Sequence, residues 1–321
     1  QWRQSRGGEE KFHGAVISHA GEDTRTFRDV VEVGEQLTRL GGAAKAGIAA
    51  EVALIYDFEN EWALNLAALP RSIGKHYQRT CREHYGYFWR HGISVDILNA
   101  NAELSAYRIV IAPMLYMLTS GAAERIEAFV KAGGTFVTTY LSGHVDESDL
   151  CFAERFTPAL KRTLGINIEE TDALPDGSTG VVIPCADSEF GLTAGGSFYD
   201  YAELLHTEGA QTLAVYGSEF YAGRPVVTLN PYGAGRAYFI AARTDEAFLG
   251  EFYARVGDHA GLAAPHQTIP HGVSIQHRES DETRYEFVMN FTSVQQIVEV
   301  GDGRRDVRTG ALAPTAIALP P

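Results

Sequence analysis

The chain has 321 residues, of which 45% are hydrophobic and 21% are charged, and its formal net charge is −14. This length allows two domains and part of a third, and the composition is ordinary for a globular protein. The acidic balance argues against nucleic acid or an anionic membrane as a partner, because both require a basic surface.

The spacing of the cysteines and the hydropathy of the chain indicate in which cellular compartment the protein resides. Cys81, Cys151 and Cys185 are widely spaced and form no CxxC pair, which favours buried thiols in a reducing compartment over a disulfide framework or a zinc site. The sequence has no apolar run of membrane-span length and no recognisable signal peptide. We therefore expect a cytoplasmic protein. Because the first residue is Gln rather than Met, we also expect a piece of a longer polypeptide.

The chain opens on a loop-like segment, Gln1 to His13, that concentrates groups able to hydrogen-bond a polar ligand. After Asp23 or Thr24 as the cap, a 3.6-residue apolar stripe predicts a helix over 25–40 that ends at Gly41-Gly42. One loop and one helix cannot bury a core, so they resemble the last turn of a larger upstream domain. The Ala- and Gly-rich stretch 42–48 is the predicted linker.

A doubly wound α/β domain is predicted next, because short apolar runs alternate with helical patterns. This pattern is typical of a parallel sheet covered on both faces. From Asp146 onward, the sequence predicts loops and shorter strands, followed by a final helix. The predicted strands are 51–57, 93–98, 107–115, 135–141, 177–185, 212–221, 224–230 and 235–241, and the predicted helices are 72–92, 121–132, one that closes within 160–166, and 248–260.

The remaining sixty or so residues are predicted to be all-β, with short strands separated by polar or Gly turns. They would form a small antiparallel sandwich or sheet that leans on its neighbour, since so small a core is marginal alone. The predicted strands are 272–277, 284–290, 295–300 and 311–319.

Two functions common to doubly wound sheets are disfavoured. The loop after the first strand, Phe58 to Trp62, has no glycines for a phosphate to approach and carries two carboxylates, which argues against a nucleotide. The elbow after the fourth strand contains Ser142-Gly143-His144 and no Cys, so it resembles neither an amidotransferase nor a GxSxG elbow. We expect Ser142 and His144 to belong to a loop paired with Asp146 and Glu147, and Cys81 to be a core thiol.

Two acidic clusters elsewhere are explained by local structure as well as by a binding site. Glu59, Glu61 and Trp62 could bind sugar, but an acidic helix start beside a buried aromatic explains them as well. Asp146-Glu147-Ser148-Asp149 lacks the Gly turn and the closing Glu of a calcium loop, so a solvated acidic loop is expected. We predict neither a metal nor another cofactor.

Glu10 and His13 are the candidate ligand-binding residues. Lying three residues apart, they can face one ligand, where the carboxylate accepts hydroxyl hydrogen bonds and the imidazole donates or accepts one. Trp2 offers an apolar face suited to a sugar ring. The alternative is that the pair makes only a surface contact on a helix.

The context adds a family resemblance. Gln1-Trp2-Arg3, then Gly8-x-Glu10-Lys11-Phe12-His13 and Ser18-His19-Ala20-Gly21, resembles the end of the catalytic domain in family 42 β-galactosidases. The stretches 57–64 and 143–150, the Pro231-Tyr232-Gly233-x-Gly235 motif and the β-rich ending also resemble that family, so the likeness covers essentially the whole chain.

This resemblance implies three parts: the last loop and helix of a (β/α)₈ barrel at 1–47, a flavodoxin-like trimerisation domain at 48–260, and a small antiparallel β domain at 261–321. It implies retaining hydrolysis of β-galactosides without a metal, by two glutamates upstream of this chain. By the same likeness, Glu10 and His13 bind the galactosyl unit and the chain forms a homotrimer. Glu9 and Glu10 cannot replace the missing pair, because adjacent residues cannot flank a glycosidic bond. The alternative is a stand-alone flavodoxin-like binding or assembly module without catalysis.

Overall fold

The computed structural model describes residues 1–68, 70–71, 74–262, 269–307 and 309–320. The chain divides into two compact units. The terminal unit comprises Gln1–Ala49 with Pro270–Pro321, and the central unit comprises Ala50–Ile269. In the part of the chain so described, none of the helices is long and apolar enough to cross a membrane.

The helices and strands follow in chain order. After a 3₁₀ helix at Glu9–Phe12 come α1 (Arg25–Arg39), α2 (Gly41–Lys45), β1 (Val52–Ile55), α3 (Phe58–Leu66), α4 (Tyr77–Arg90), β2 (Val95–Leu98), β3 (Ile109–Ala112), β4 (Met117–Leu118), α5 (Ala122–Lys131), β5 (Thr135–Thr139), β6 (Val145–Asp146), α6 (Pro158–Leu164), β7 (Ile166–Ala173), β8 (Gly180–Pro184), β9 (Gly196–Thr207), β10 (Gln211–Tyr216), β11 (Pro225–Tyr232), β12 (Gly235–Ile240), β13 (Ala242–Thr244), α7 (Glu246–Ala260), β14 (Val273–Glu279), β15 (Arg284–Asn290), β16 (Gln296–Glu299) and β17 (Ala316–Leu319).

The central unit is built on one mixed sheet. Its parallel half has the order β2-β1-β3-β5-β12. Every residue of β1, β3 and β5 is buried, which explains why β1 and β3 are continuous apolar runs in the sequence. The predicted parallel sheet is therefore confirmed for this half.

The other half of the sheet is antiparallel, which the sequence interpretation did not foresee. Strand β12 pairs with β11, and the sheet continues through β10, β8 and β9, with β7 and β13 also paired to β9. The prediction missed β7 and β9, because β9 contains polar residues and a residue in the left-handed region, Asp200 with φ 62°. The fold is thus mixed α/β with parallel and antiparallel parts.

The first predicted helix is confirmed, but the linker after it was wrong. The Thr24 hydroxyl accepts a hydrogen bond from the Phe27 amide at 3.3 Å and so caps α1. Gly41 does not end the helical region, since α2 begins there, and Gly47 pairs with Glu279 on β14 through two backbone hydrogen bonds. The segment from 42 to 48 is therefore largely ordered structure of the terminal unit.

Helix α3 confirms the acidic helix start that was one interpretation of Glu59 and Glu61, although Phe58 to Trp62 was also described as a loop. The helix predicted to start at Ser72 begins as α4 at Tyr77. Ser72 and Ile73 lie outside the described residues. The Asp57 carboxylate caps α3 by accepting hydrogen bonds from the amides of Glu59 and Asn60. Because the exposed face of α3 carries large apolar side chains, its sequence lacks the usual contrast between a polar and an apolar face.

The carboxyl-terminal residues form two separate two-stranded antiparallel sheets. Strand β14 pairs with β15, and β16 pairs with β17. The predicted antiparallel character is confirmed. Strand β17 covers only the second half of the predicted run 311–319, because Ala311 to Thr315 lie before it.

Candidate functional site

The opening segment folds as a closed loop whose two arms run in parallel. The Val16 and Ile17 amides donate to the carbonyls of Gln1 and Trp2 at 3.1 and 2.9 Å. The Gln4 amide in turn donates to the Ile17 carbonyl at 2.9 Å. Ile17 is buried, whereas Trp2 is 68% exposed. The pairing therefore fixes both ends of the segment that carries Glu10 and His13.

The turn between the arms begins at a residue that must be glycine. Gly8 has φ 69° and ψ −158°, a backbone conformation that is essentially restricted to glycine. The 3₁₀ helix Glu9–Phe12 follows, and its four residues are all exposed. A helix this short gains little from its own hydrogen bonds, so contacts with the arms must hold it.

The structure brings Glu10 and His13 into one turn. The His13 amide donates to the Glu10 carbonyl at 3.1 Å. The Gln1 side-chain amide donates to Oε2 of Glu10 at 2.8 Å, which orients that carboxylate. Both side chains are exposed, and Phe12 between them is 94% exposed. The turn thus presents a carboxylate, an imidazole and an aromatic ring on its surface.

The elbow residues of the central unit do not form a catalytic arrangement. The Ser142 hydroxyl accepts from the Leu115 amide at 2.9 Å and contacts the Thr138 hydroxyl at 2.8 Å. His144 stacks on Tyr116 and contacts Arg155 through Nδ1 at 2.8 Å. The side chains of Ser142 and His144 therefore contact other residues than Asp146 and Glu147, so the predicted pairing was wrong.

The acidic loop closes on its own backbone. Oδ1 of Asp146 accepts hydrogen bonds from the amides of Ser148 and Leu150 at 2.8 and 3.1 Å. The Asp146 carboxylate therefore stabilises the turn of its own loop. On α3, Glu61 accepts from the Tyr56 hydroxyl at 2.6 Å. Trp62 is 61% exposed, so the expectation of a buried aromatic there was wrong.

The cysteines are free but not uniformly buried. Cys81 is buried on α4, and burial raises the pKa of its thiol to about 12, so the core-thiol prediction is confirmed. Cys151 is exposed and Cys185 is half-buried, which contradicts the expectation for all three.

Two buried charge clusters were missed by sequence reasoning. Glu203 is fully buried and accepts from the Leu141 amide and from the Arg155 guanidinium. Arg243 is 2% exposed and pairs with Glu83 at 3.0 Å and with Asp200 at 3.3 Å. The available signals were the one charge in the short strand β13, which is Arg243, and two acidic residues among the apolar residues of β9, which are Asp200 and Glu203. These ion pairs lie within the central unit and support its fold, while Oε2 of Glu203 and Nε of Arg243 make no hydrogen bond to the described residues.

The comparisons with known proteins cover the whole chain. A family model described as the beta-galactosidase trimerisation domain matches residues 50–263. The beta-galactosidase model matches 1–40, and the beta-galactosidase C-terminal domain matches 272–321. The chain therefore belongs to the family 42 β-galactosidases, as its sequence motifs indicated.

Individual relatives agree with this membership. A beta-galactosidase of Alicyclobacillus acidocaldarius is 44% identical over 100% of this chain and 47% of its own length. One from Clostridium perfringens is 44% identical over 94% of this chain and 44% of its own length. The chain thus spans about half the length of these curated relatives.

Solved structures show the same similarity in three dimensions. A cold-adapted beta-galactosidase from Rahnella is 42% identical with a TM-score of 0.89, over 99% of this chain and 46% of its own. A catalytic mutant of the beta-galactosidase Gan42B from G. stearothermophilus is 38% identical with a TM-score of 0.91, over 100% of this chain and 46% of its own. The alternative of a stand-alone module is not favoured, since these relatives are beta-galactosidases.

Proposed function

We propose that this chain is the carboxyl-terminal part of a retaining β-galactosidase that removes terminal β-D-galactosyl residues. Two glutamates carried elsewhere in the complete polypeptide supply the acid/base and the nucleophile. This chain supplies Glu10 and His13, which hydrogen-bond hydroxyls of the galactosyl unit. The observation that carries the proposal is the exposed turn that presents both side chains, with the Glu10 carboxylate already oriented by Gln1.

The chemistry of the turn suits a sugar. A carboxylate accepts two hydroxyl hydrogen bonds, and an imidazole nitrogen donates or accepts another. Exposed aromatic rings in the same loop, Trp2 and Phe12, offer apolar faces to the C–H side of a pyranose. If Glu10 and His13 made only a surface contact on a helix, the turn would not require a glycine at position 8. Nor would the Glu10 carboxylate need a hydrogen bond from Gln1 to orient it.

The test is kinetic and uses the complete polypeptide that carries this chain. Glu10→Ala and His13→Ala should each lower kcat/KM for a chromogenic β-galactoside by roughly 10- to 100-fold, because each removes hydrogen bonds to substrate worth about 1.5–3 kcal/mol. Glu9→Ala is the matched control, since Glu9 lies in the same turn. Wild-type kinetics in both variants would refute the assignment.

We also propose that residues 1–47 complete a (β/α)₈ barrel. Helix α1 supports this, because none of its residues is buried in the chain described here. Val30, Val31 and Leu37 are exposed at 42%, 47% and 62%, as expected for a helix whose apolar face packs on barrel strands. The sugar-binding turn would then lie at the carboxyl end of a barrel strand, where such enzymes have their active sites.

The central unit is proposed to be flavodoxin-like and to form a homotrimer. Its parallel strands follow the order β2-β1-β3-β5-β12, which is the doubly wound order of that fold. The family model that matches it is described as a trimerisation domain. Helix α3 exposes Phe58, Trp62 and Leu66 at 62%, 61% and 79%, four residues apart, and this stripe is an apolar surface suited to a second copy.

Light scattering on the purified enzyme measures this assembly directly. We expect the mass of three chains, and Trp62→Glu should shift the enzyme to smaller species by placing a charge in the contact. Glu124→Gln, an exposed polar change on α5, should leave the mass unaltered. A monomeric wild type would refute the trimer, whereas a trimeric Trp62→Glu would refute only the α3 contact.

A cytoplasmic location remains part of the proposal. The three free thiols, one of them exposed, suit a reducing compartment. Cell fractionation followed by an activity assay checks this directly, and recovery of the enzyme from the culture medium would contradict it.

A further inference from the structure

The side chain of Gln4 bridges the two arms of the sugar-binding loop. Its Nε2 donates to the carbonyl of Lys11 at 2.7 Å, and its Oε1 accepts from the amide of His19 at 3.0 Å. Nε2 of His19 lies 3.2 Å from the same Lys11 carbonyl. Lys11 is the residue directly after Glu10 and two before His13, so this bridge acts at the centre of the turn.

We infer that Gln4 is a positioning residue for the galactoside, holding the turn that presents Glu10 and His13. This inference rests on the proposed function of that pair. The turn needs such support because its four residues are exposed and a single 3₁₀ turn is weak alone. Gln1 orients the Glu10 carboxylate, whereas Gln4 fixes the backbone from which both side chains project.

The chemistry of the bridge suits an amide of this length. One end of the side chain must donate to a carbonyl while the other accepts from an N–H, and the primary amide of Gln does both without a charge at neutral pH. Gln4 itself is half-buried, and its two hydrogen bonds run to two different segments, at Lys11 and at His19. Ionised Glu would place an acceptor against the Lys11 carbonyl, and Met would remove both bonds.

The backbone position of Gln4 does not depend on its side chain. Its amide donates to Ile17 within the paired arms. Substitutions at Gln4 therefore leave that pairing in place and act on the turn. Ser5 provides the matched control, because its hydroxyl donates to the carbonyl of Gly7, two residues along the chain, at 2.9 Å.

The experiment measures kcat and KM of the complete enzyme on a chromogenic β-galactoside. Gln4→Met should raise KM and lower kcat/KM by about tenfold, while Ser5→Ala should match wild type. Gln4→Glu should show the same loss at pH 7 and should recover, relative to wild type at each pH, as the pH falls through about 4.3, the ordinary pKa of Glu. Protonation restores a donor and an acceptor in the amide's place.

Hydrogen exchange of the His19 amide supplies a readout independent of activity. It should be faster in Gln4→Met than in wild type, because its acceptor is gone. The outcomes separate the two proposals. If Glu10→Ala and His13→Ala keep wild-type kinetics, the proposed function fails. If both lose activity while Gln4→Met keeps wild-type KM and His19 exchange, the positioning role is overturned.

Discussion

Acid should destabilise the central unit through one buried histidine. His84 is 4% exposed on α4, and its Nδ1 lies 2.5 Å from the Tyr253 hydroxyl of α7. Burial, and to a lesser extent the nearby Arg243, lowers the pKa of His84 to about 3. The neutral imidazole therefore belongs to the folded state, and protonation favours unfolding.

The change in the free energy of unfolding with pH follows from the difference between the folded and unfolded pKa of His84. The folded pKa lies below the unfolded value of about 6.5, so the stabilisation is complete above pH 6.5 and is lost as the pH falls toward 3. With RT of about 0.59 kcal/mol, lowering the pH from 7.5 to 5 should lower the free energy of unfolding by about 2 kcal/mol through this residue alone.

Urea unfolding of wild type and His84→Gln, followed by circular dichroism at pH 7.5 and 5, tests this. Gln can still bond Tyr253 but does not titrate, so wild type should lose about 2 kcal/mol more than the variant between the two pH values. Equal losses would refute the reasoning. If the variant does not fold, NMR of wild type decides, because the His84 ring should remain neutral at pH 5.

Three further changes have defined outcomes. Gly8→Ala should raise KM of the complete enzyme, since its left-handed backbone would be strained by about 1–3 kcal/mol, while Gly7→Ala should be neutral in the same assay. Arg243→Met should lower urea stability by about 2 kcal/mol, because Glu83 and Asp200 lose their buried partner and keep only Arg79 and Arg71. The exposed Arg79→Met should change it by under about 1 kcal/mol. Asp57→Ala should cost about 2 kcal/mol in the same urea assay through the lost α3 cap, and Asp57→Asn less, since it keeps an acceptor.

The centre of the parallel half of the sheet could be predicted because β1 and β3 are buried on both faces. Runs such as Val52–Ile55 and Ile109–Ala112 are wholly apolar and short, which is typical of parallel strands between helices. Strand β9 could not be predicted in this way, because it carries Asp200 and Glu203 and pairs with β7, β8 and β13. Its identity depends on partners distant in sequence, which no local pattern reports.

The site was predictable in part. Residue types and motif spacing pointed to Glu10 and His13, and the structure places both on one exposed turn. The bridge made by Gln4 was not predictable, since its two partners, Lys11 and His19, lie seven and fifteen residues away. Nothing in the local pattern distinguishes a glutamine that spans a loop from one that faces solvent.

The most direct test of the central claim compares β-galactoside hydrolysis by the complete polypeptide and by its Glu10→Ala and His13→Ala variants, with folding and assembly verified. We predict that both variants remain folded and assembled like wild type and lose roughly 10- to 100-fold in kcat/KM. Wild-type kinetics in both, or no β-galactoside hydrolysis by the complete wild-type enzyme, would contradict the role assigned to this turn.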